Sequence, residues 1–499
     1  MKNQDPSQEL LQSILSLYTD GNFQQALTES SQMLKNFPNS INLLNIAGAS
    51  NSGLMQFDSA IKNYEQVLII NPLYAEALYN MGIAQKCKGD LEMAIHCYKE
   101  AIKIKPSYAE AHFSMGNALK DKGELDLALI SYNESLKIKP KNAGIYNNMG
   151  NILKDKGDLE MAIEHFKKAL KIDPEYANAY NNIGNALKNN NPEVALENYN
   201  QALKIKPEFA KAKLNMVNLL TTYTSKKENL NLIVLVNEKI RKINHITSGV
   251  ISDEQAIGLF SKSESCINSF GLNIKTQLSQ AYRRNSVDLN CKRHKSIFNR
   301  HKIIPKFCFN CYKVQIEPRS IIELIKLFII FDQLQLNKNN TRKCNVELRP
   351  EISGFYKGLI YCSDLQQANQ IAEHLDKIID QRIGSGLTSK IKRGCSEYAI
   401  TFPDYKEINN SGTQLMSYIE DWKVIEEVHD REKPIYAEKG RRESLSGLNL
   451  SDILVIQKWI DYAKGIGDPT VDLLNQNTIY YPVIYNKAKE RLDKFNYIY

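Results

Sequence analysis

A 34-residue period runs through roughly residues 7–222 of this 499-residue chain and limits the folds that it can adopt. Prolines, alanines and glycines recur with this period, each in a register of its own. The positions are Pro38, Pro72, Pro106, Pro140 and Pro174; Ala26, Ala60, Ala94, Ala128 and Ala162; and Gly48, Gly82, Gly116, Gly150 and Gly184. Such a period predicts stacked copies of one supersecondary unit, because each unit can bury its apolar face only against its neighbours.

The repeated positions indicate that each unit is a pair of helices. Glycine inside a helix costs up to about 1 kcal/mol relative to alanine, so we expect a neighbouring helix to approach Gly82 too closely for a side chain. Gly89 marks the turn between two helices, because glycine adopts a positive φ without strain. Ala94, Tyr98 and Ala101 then line one face of the second helix at i, i+4 and i+7 spacing.

These residues resemble the tetratricopeptide repeat (TPR), and the segment 179–207 lies close to that family's pattern. The resemblance implies an α-solenoid, the TPR superhelix, of six repeats over residues 7–222 with a capping helix at 210–222. The expected repeats are 7–40, 41–74, 75–108, 109–142, 143–176 and 177–209. In the sixth repeat Asn-Asn-Asn-Pro (189–192) replaces Lys-Gly-Asp, and we expect a tighter or bent turn there.

The resemblance also implies that the first helices line a concave groove that binds a protein or an extended peptide. Two polar rows lie on those helices, three residues apart, and this spacing keeps both rows on one helical face. The rows are Asn80, Ser114, Asn148, Asn182 and Asn215, and Asn117, Asn151, Asn185 and Asn218. An amide donates and accepts hydrogen bonds, which suits a peptide backbone of any sequence. Alternatively, these amides tie neighbouring repeats together or face water.

One specific TPR function is not favoured by these positions. Capture of a C-terminal carboxylate in the family uses Lys and Asn four residues apart on adjacent repeats, and only Lys211 and Asn215 have that spacing. The positions equivalent to Lys211 in earlier repeats include Glu76 and Glu110, which would repel a carboxylate. The expected partner is therefore a protein or an extended peptide held along its length.

The charge balance changes after the repeats. Residues 1–222 contain 23 Lys, no Arg and 24 acidic residues, whereas residues 223–499 contain 41 basic and 32 acidic residues. Between Lys275 and Lys306 there are nine basic side chains and one acidic side chain, Asp288. The two halves are therefore expected to have different partners, and nucleic acid is an alternative partner for the basic C-terminal module.

The C-terminal half has an alternation of strand and helix patterns after a predicted helical cap or linker at 223–290. Strands are predicted at 313–317, 342–350, 356–362 and 390–402, and helices at 320–334 and 363–380, the latter capped by Ser363. This order, βαββαβ, predicts a ferredoxin-like α+β domain over 291–410, with a helical segment at 411–499. The RNA-recognition motif shares that topology, but Lys357–Tyr361 matches its third strand only in part.

Two pairs of potential metal ligands precede the first predicted strand of that domain. Cys291 and His294 are separated from Cys308 and Cys311 by thirteen residues, a spacing typical of a structural zinc site. His301 could replace His294, and the surrounding basic residues favour thiolates. The alternatives are that Cys308 and Cys311 are buried and unligated, or that they have a redox or iron–sulfur role.

No established enzyme motif appears in the sequence. There is no Gly-rich phosphate loop leading into a helix and no Gly-x-Ser-x-Gly elbow. Nor does the sequence after the repeats contain a long doubly wound α/β pattern of the size that a glycosyltransferase needs, as in the TPR-fused O-linked N-acetylglucosamine transferases. The leading hypothesis is a non-enzymatic adaptor or scaffold; an enzyme of unfamiliar type in the C-terminal half is the alternative.

The sequence predicts a cytoplasmic protein with reduced thiols. It has nine cysteines, an odd number that does not form a secreted disulfide framework. The beginning of the sequence lacks the features of a secretory signal. The longest apolar run, Ile321–Ile330, is interrupted by Glu323 and Lys326 and is too short for a membrane span.

Overall fold

The computed structural model describes residues 5–226, 231–243, 249–283, 291–337, 340–349, 352–409, 413–432, 443–474 and 481–496. By its internal contacts the chain divides into two compact units, residues 1–182 and 183–499.

Consecutive helices pack in pairs through the first unit. The helices are α1 Gln8–Thr19, α2 Phe23–Leu34, α3 Ile41–Gly53, α4 Phe57–Ile70, α5 Ala75–Lys88, α6 Leu91–Ile104, α7 Ala109–Lys122, α8 Leu125–Ile138, α9 Ala143–Asp155, α10 Leu159–Ile172 and α11 Ala177–Leu187, which continues into the second unit. These bounds agree with the predicted repeats, so the first unit has the architecture of a helical-repeat solenoid.

In the second to fifth repeats, an aromatic ring of the second helix packs against a glycine of the first helix. A Cβ atom added to Gly82 would lie 2.6 Å from Cε1 of Tyr98, closer than any side-chain packing allows. The same contact recurs between Gly48 and Tyr64, Gly116 and Tyr132, and Gly150 and Phe166. The predicted close approach at Gly82 is therefore confirmed, and its cause is the ring of the partner helix.

The turns within the repeats use glycine in a left-handed conformation. Gly89 has φ +97°, and Gly123 and Gly157 have φ +92° and +87°. Gly53 lies two residues before position 55, where the 34-residue spacing from Gly21 to Gly89 would place the turn residue. It ends α3, and Met55 takes the positive φ of that turn at 58°. The irregular spacing at Gly53 thus corresponds to a different role in the turn.

The second unit begins with the end of α11 and three more helices of the helical array. These are α12 Pro192–Ile205, α13 Ala210–Leu219 and α14 Leu232–Arg241, followed by α15 Asp253–Ser269. The turn between α11 and α12 was predicted to be tighter or bent. It is not tighter, because four residues separate Leu187 from Pro192, whereas two separate Lys88 from Leu91. Asn191 caps α12 by accepting a hydrogen bond from the backbone N–H of Val194 at 3.3 Å, and Pro192 occupies the first helical position, where no N–H is needed.

A five-stranded antiparallel sheet forms the centre of the C-terminal half. Its strands are β1 Gln280–Arg283, β2 Tyr312–Ile316, β3 Arg342–Val346, β4 Tyr356–Cys362 and β5 Ser389–Arg393, in the spatial order β1-β3-β4-β2-β5. Helices α18 Ile321–Gln333 and α19 Leu365–Arg382 connect β2 to β3 and β4 to β5. The four predicted strands are thus present in one sheet.

Three details of the C-terminal half differ from the predictions. Strand β1 lies in a segment predicted to be helical. Its four residues form an edge strand of the sheet by pairing with β3. Helix α19 is capped by Asp364, whose side chain accepts from the backbone N–H of Gln367, rather than by Ser363. Strand β5 ends at Arg393, and residues 396–400 form a 3-10 helix in place of the predicted continuation.

The remaining helices of the second unit are α16 Cys291–His301, α17 Lys306–Phe309, α20 Trp422–Glu432, α21 Leu450–Ile466 and α22 Pro482–Asn496. Helix α21 is buried on nearly all sides; its Trp459 is 0% exposed and donates to the carbonyl of Ser279 at 2.8 Å. Among the helices that the structure describes, none has the length and apolar character needed to cross a membrane.

Candidate functional site

The polar rows of the repeats lie on the first helix of each pair, as expected. Asn80 is on α5, Ser114 and Asn117 are on α7, and Asn148 and Asn151 are on α9, and all five side chains are half-buried. Asn182 and Asn185 on α11 and Asn215 on α13 are also half-buried, whereas Asn218 on α13 is exposed. The rows are therefore neither core residues nor fully solvated ones.

Several of these amides connect helices. In the first unit the side-chain oxygen of Asn117 accepts a hydrogen bond from the Tyr132 hydroxyl at 2.7 Å and from the Asn148 side-chain N–H at 2.9 Å. Asn182 donates to the side-chain oxygen of Asn147 at 2.8 Å. The first contact joins the two helices of one repeat, and the others join successive repeats. The structural role considered for these amides therefore holds for part of the rows.

The same tyrosine–asparagine contact appears in the second unit, where the hydroxyl of Tyr199 donates to the side-chain oxygen of Asn185 at 2.9 Å. Sequence reasoning did not identify Tyr132, Tyr199 or the buried Asn147 as partners of the rows. The sequence did distinguish Asn147. It is a polar residue at a position where the two preceding repeats have the aromatic residues Phe113 and Tyr79.

Other amides in the rows keep their hydrogen-bonding capacity. The side chains of Asn80 and Asn151 make no hydrogen bond to any residue that the structure describes, and neither does the Nδ2 group of Asn117. Each of these side chains is half-buried, so a bound segment could reach it. The surface therefore offers amide donors and acceptors held on rigid helices.

Two positions that would hold lysine in a carboxylate-binding TPR site, Glu76 and Glu110, are acidic in the first unit. Glu76 pairs with Lys105 at 3.1 Å, and Glu110 pairs with Lys139. Further along the helices, Lys86 of α5 pairs with Asp121 of α7 at 3.0 Å. The charges at these positions are therefore paired within the first unit.

The four predicted zinc ligands have different environments. Cys291 is exposed at the start of α16, whereas His294 on the same helix is buried, with its ring stacked on that of Phe307 at 5.1 Å. Cys308 and Cys311 are buried. Within the described ranges, no group of three or more His, Cys, Asp or Glu side chains is arranged to hold a metal ion. The zinc site stays a prediction.

Cys395 is a further thiol in this region, which the sequence placed on a strand. It follows Gly394, whose backbone N–H donates to the carbonyl of Cys311 at 2.8 Å. A hydrogen bond involving Cys395, together with burial, raises the pKa of Cys308 far above its usual range, and burial raises the pKa of Cys311 to about 12. These thiols are protonated at neutral pH, so a metal would have to displace their protons on binding.

The basic stretch between residues 275 and 306 is partly neutralised. Arg283 is 2% exposed and lies between Asp332 and Asp452, with nitrogen–oxygen distances of 2.5 and 2.6 Å. Arg293 contacts Glu426 and Asp430, each at 2.8 Å. These arginines therefore stabilise the fold of the second unit instead of forming a free basic surface.

Comparisons with known proteins identify the repeats. A family model described as TPR repeat matches residues 87–123, 116–157 and 150–191, and one described as tetratricopeptide repeat matches residues 177–209. A crystal structure of MamA is 28% identical, covers 32% of this chain and 95% of that chain, and has a TM-score of 0.31. A search of curated proteins found no significant sequence match.

Two further solved structures have similar repeats. YrrB, described as a TPR protein with an unusual peptide-binding site, is 20% identical, with 37% of this chain and 95% of that chain covered and a TM-score of 0.32. The C-terminal part of a TPR repeat-containing protein from Cytophaga hutchinsonii is 16% identical, with 52% and 96% covered and a TM-score of 0.38. On these family matches, residues 87–209 of the chain consist of tetratricopeptide repeats.

Proposed function

We propose that this protein is a non-enzymatic adaptor whose TPR helices hold an extended peptide or protein segment along the amide rows of the first unit. This proposal rests on the burial and the hydrogen bonding of the Asn80 and Asn151 side chains. Both side chains are half-buried on first helices, and neither makes a hydrogen bond to any residue in the described part of the chain. A half-buried amide of this kind can bond a peptide backbone at little extra cost of desolvation.

The contacts within the rows prepare the surface for a peptide. The oxygen of Asn117 is held by Tyr132 and Asn148, which fixes the orientation of its amide and leaves the Nδ2 group to donate. A side chain that is already oriented loses less conformational entropy on binding. The structural contacts and the proposed binding role of the rows are therefore compatible.

Apolar contact is available beside the amides. Tyr79 and Phe113, both on first helices, are partly buried and pack against the core of the repeats. Because one hydrogen bond contributes only about 0.5–1.5 kcal/mol net, a bound segment would need such apolar contacts as well. Paired charges in this unit, such as Lys86 with Asp121, favour a segment without a high net charge.

The test begins with partner identification by cross-linking in cells, followed by titration of the purified partner segment against the full-length protein. We expect the double variant Asn80→Ala/Asn151→Ala to weaken binding by about tenfold or more, which corresponds to about 1.4 kcal/mol. Its melting temperature should not fall, since these amides make no hydrogen bond to any residue that the structure describes and alanine favours the helix.

The matched control is Asn133→Ala, which removes an exposed amide from the second helix α8 and should leave binding unchanged. Unchanged affinity in Asn80→Ala/Asn151→Ala, with a folded protein, would restrict the amide rows to a structural role and would remove the basis of the proposal.

Three finer assignments remain proposals. The strand order β3-β4-β2-β5 with two connecting helices supports a ferredoxin-like arrangement for residues 312–393. A structural zinc ion at Cys291, His294, Cys308 and Cys311 is supported by their spacing. A cytoplasmic location is supported by the nine cysteines, none of which is in a disulfide among the described residues.

A further inference from the structure

A polar cavity of about 500 Å³ lies in the C-terminal half, beside the start of α19. One wall is the chain that connects α18 to β3, and the other is the first half of α19. This volume is typical of a small-molecule site. Six of its lining residues are amides: Gln335, Asn337, Asn340, Gln366, Gln367 and Gln370.

The most buried of these amides, Asn340, is oriented by the backbone. Its side chain is 7% exposed, and its Nδ2 group donates to the carbonyl of Tyr361 at 2.7 Å and to Oε1 of Gln367 at 3.0 Å. A carbonyl can only accept, so the amide nitrogen must face Tyr361. The Oδ1 atom of Asn340 accepts no hydrogen bond from any residue in the described ranges. The cavity is thus lined by a buried acceptor that lacks a donor, which is unfavourable until a donor is supplied.

The neighbouring amide, Gln367, is oriented in the same way. Its Oε1 atom accepts from the backbone N–H of Ser363 at 3.0 Å and from the Ser363 hydroxyl at 3.3 Å. A backbone N–H can only donate, so Oε1 must face Ser363. The Nε2 group of Gln367 is left without a hydrogen bond to any residue that the structure describes. Asn340 and Gln367 therefore present one unused acceptor and one unused donor in adjacent side chains.

Three more exposed amides of the cavity are also unused. Gln366 and Gln370 are four residues apart on α19, a spacing that keeps them on one helical face, and Asn337 is on the connection between α18 and β3. None of these three side chains makes a hydrogen bond within the described part of the chain. The cavity therefore has more hydrogen-bonding capacity than the protein itself uses.

The other lining residues limit the class of ligand. Leu336 and Ile371 provide a small apolar surface, and Asp364 is the one carboxylate among the lining residues that the structure describes. No Lys, Arg, Phe, Tyr or Trp belongs to that set, and His374 supplies its single ring. Such a lining does not favour an anion, and it lacks the aromatic platform on which a planar base would stack.

We propose that this cavity binds a neutral sugar through its hydroxyl groups. A hydroxyl donates and accepts hydrogen bonds, so neighbouring hydroxyls of one sugar ring match the unused acceptor of Asn340 and the unused donor of Gln367. Further hydroxyls contact Gln366 and Gln370, and C–H groups of the ring contact Ile371. A rigid ring loses little conformational entropy on binding.

The experiment is saturation-transfer difference NMR of the full-length protein with glucose, galactose, mannose and maltose, followed by titration of each sugar that binds. We expect at least one of them to bind with a dissociation constant of about 10 mM or lower. The double variant Gln366→Ala/Gln370→Ala should weaken that binding by about tenfold, which corresponds to the loss of one or two hydrogen bonds.

The matched control is Asn369→Ala/Gln381→Ala, which removes two exposed amides of the same helix that do not line the cavity. Its affinity for the sugar should equal that of the wild type. Both double variants place alanine at exposed positions of α19, where it favours the helix, so both should fold.

Three outcomes would overturn the assignment. Failure of all four sugars to bind at about 10 mM would reject the sugar site. Equal affinity of the wild type and Gln366→Ala/Gln370→Ala would reject the cavity as the place of binding. Tighter binding of glucose 6-phosphate or of adenine than of every neutral sugar would reject recognition through hydroxyl groups alone.

Two further measurements use the wild-type protein. Hydrogen-exchange mass spectrometry with saturating sugar should show slower exchange at the start of α19, and slowing confined to residues 1–182 would reject the cavity. The methyl glycoside of the bound sugar has a substituted anomeric oxygen, as in a glycan. Its retained binding would assign the site to the end of a glycan chain, and its loss to a free sugar. Neither measurement depends on the amide rows of the repeats.

Discussion

The two units of the chain place their charges differently. In the first unit, ion pairs such as Lys105 with Glu76 lie on the surface, with side chains 48% and 45% exposed. In the second unit, Arg283 is 2% exposed between Asp332 and Asp452, and Arg342 and Arg491 are also fully buried. Breaking a surface pair has a small effect, whereas removing one member of a buried pair leaves an uncompensated charge.

The sequence distances of these contacts differ as well. The hydrogen bond between Asn117 and Asn148 joins residues 31 positions apart, whereas the contact of Arg283 with Asp452 joins residues 169 positions apart. Stability in a repeat array is approximately a sum of repeat and interface contributions. The second unit instead depends on contacts that form only when distant parts of its chain meet, so single substitutions there should have wider effects.

The largest expected effect is that of Asp452→Asn. This change removes one of the two carboxylates around Arg283 while keeping the volume and the ability to cap α21. We expect the second unit to lose about 3–5 kcal/mol, the cost of breaking a buried ion pair. Hydrogen-exchange mass spectrometry measures this loss for each unit separately.

The matched control is Glu373→Gln, which breaks the exposed pair with Lys377 on α19 and should not change the exchange of the second unit. If Asp452→Asn had no greater effect than this control, the contrast between the two units would be wrong.

An intermediate effect is expected from Gly116→Ala in the first unit. The new Cβ atom would lie 2.6 Å from the Tyr132 ring, and overpacking of this kind costs about 1–3 kcal/mol. The rate of amide hydrogen exchange, measured by mass spectrometry, should increase most in α7 and α8. The additional substitution Tyr132→Leu makes room for the methyl group, so the double variant should be less destabilised than the sum of the two single variants predicts. Strict additivity would contradict the packing explanation.

The smallest expected effect is that of Asp126→Asn, which breaks a surface pair with Lys156 at 2.5 Å between α8 and α9. Exposed pairs contribute about 0.2–1 kcal/mol, so thermal unfolding should change by a degree or two at most. A change as large as that of Gly116→Ala would show that the surface pairs, rather than the glycine–ring contacts, hold the repeats together.

The repeats were predictable because their information is local and periodic. The register of Gly82 indicated a close helix contact, and the structure supplies its partner, Tyr98. In the C-terminal half, the four strands with clear alternation were found, but the edge strand β1 was not. Its four residues form a strand because they pair with β3, more than 50 positions later. A short window of sequence does not contain both partners, so it cannot predict this pairing.

The candidate site was predictable in position but not in detail. The spacing placed the amide rows on the first helices, yet it did not show that Asn117 is bonded while Asn80 is not. That difference depends on Tyr132 of the second helix. The same limit applies to the C-terminal sheet, where five lysines on four strands share one face only through the sheet register: Lys313, Lys343, Lys357, Lys390 and Lys392.

The bond from Asn148 to Asn117 has a consequence for how this array could change length. One repeat before Asn117, the equivalent position holds Ile83, which offers no side-chain acceptor. Excision of one whole 34-residue copy, 109–142, would set Ile83 against Asn148 and leave that amide without its bond. Copies with the same backbone thus differ at their junctions, and a deletion at this one would remove an interhelical hydrogen bond worth about 0.5–1.5 kcal/mol.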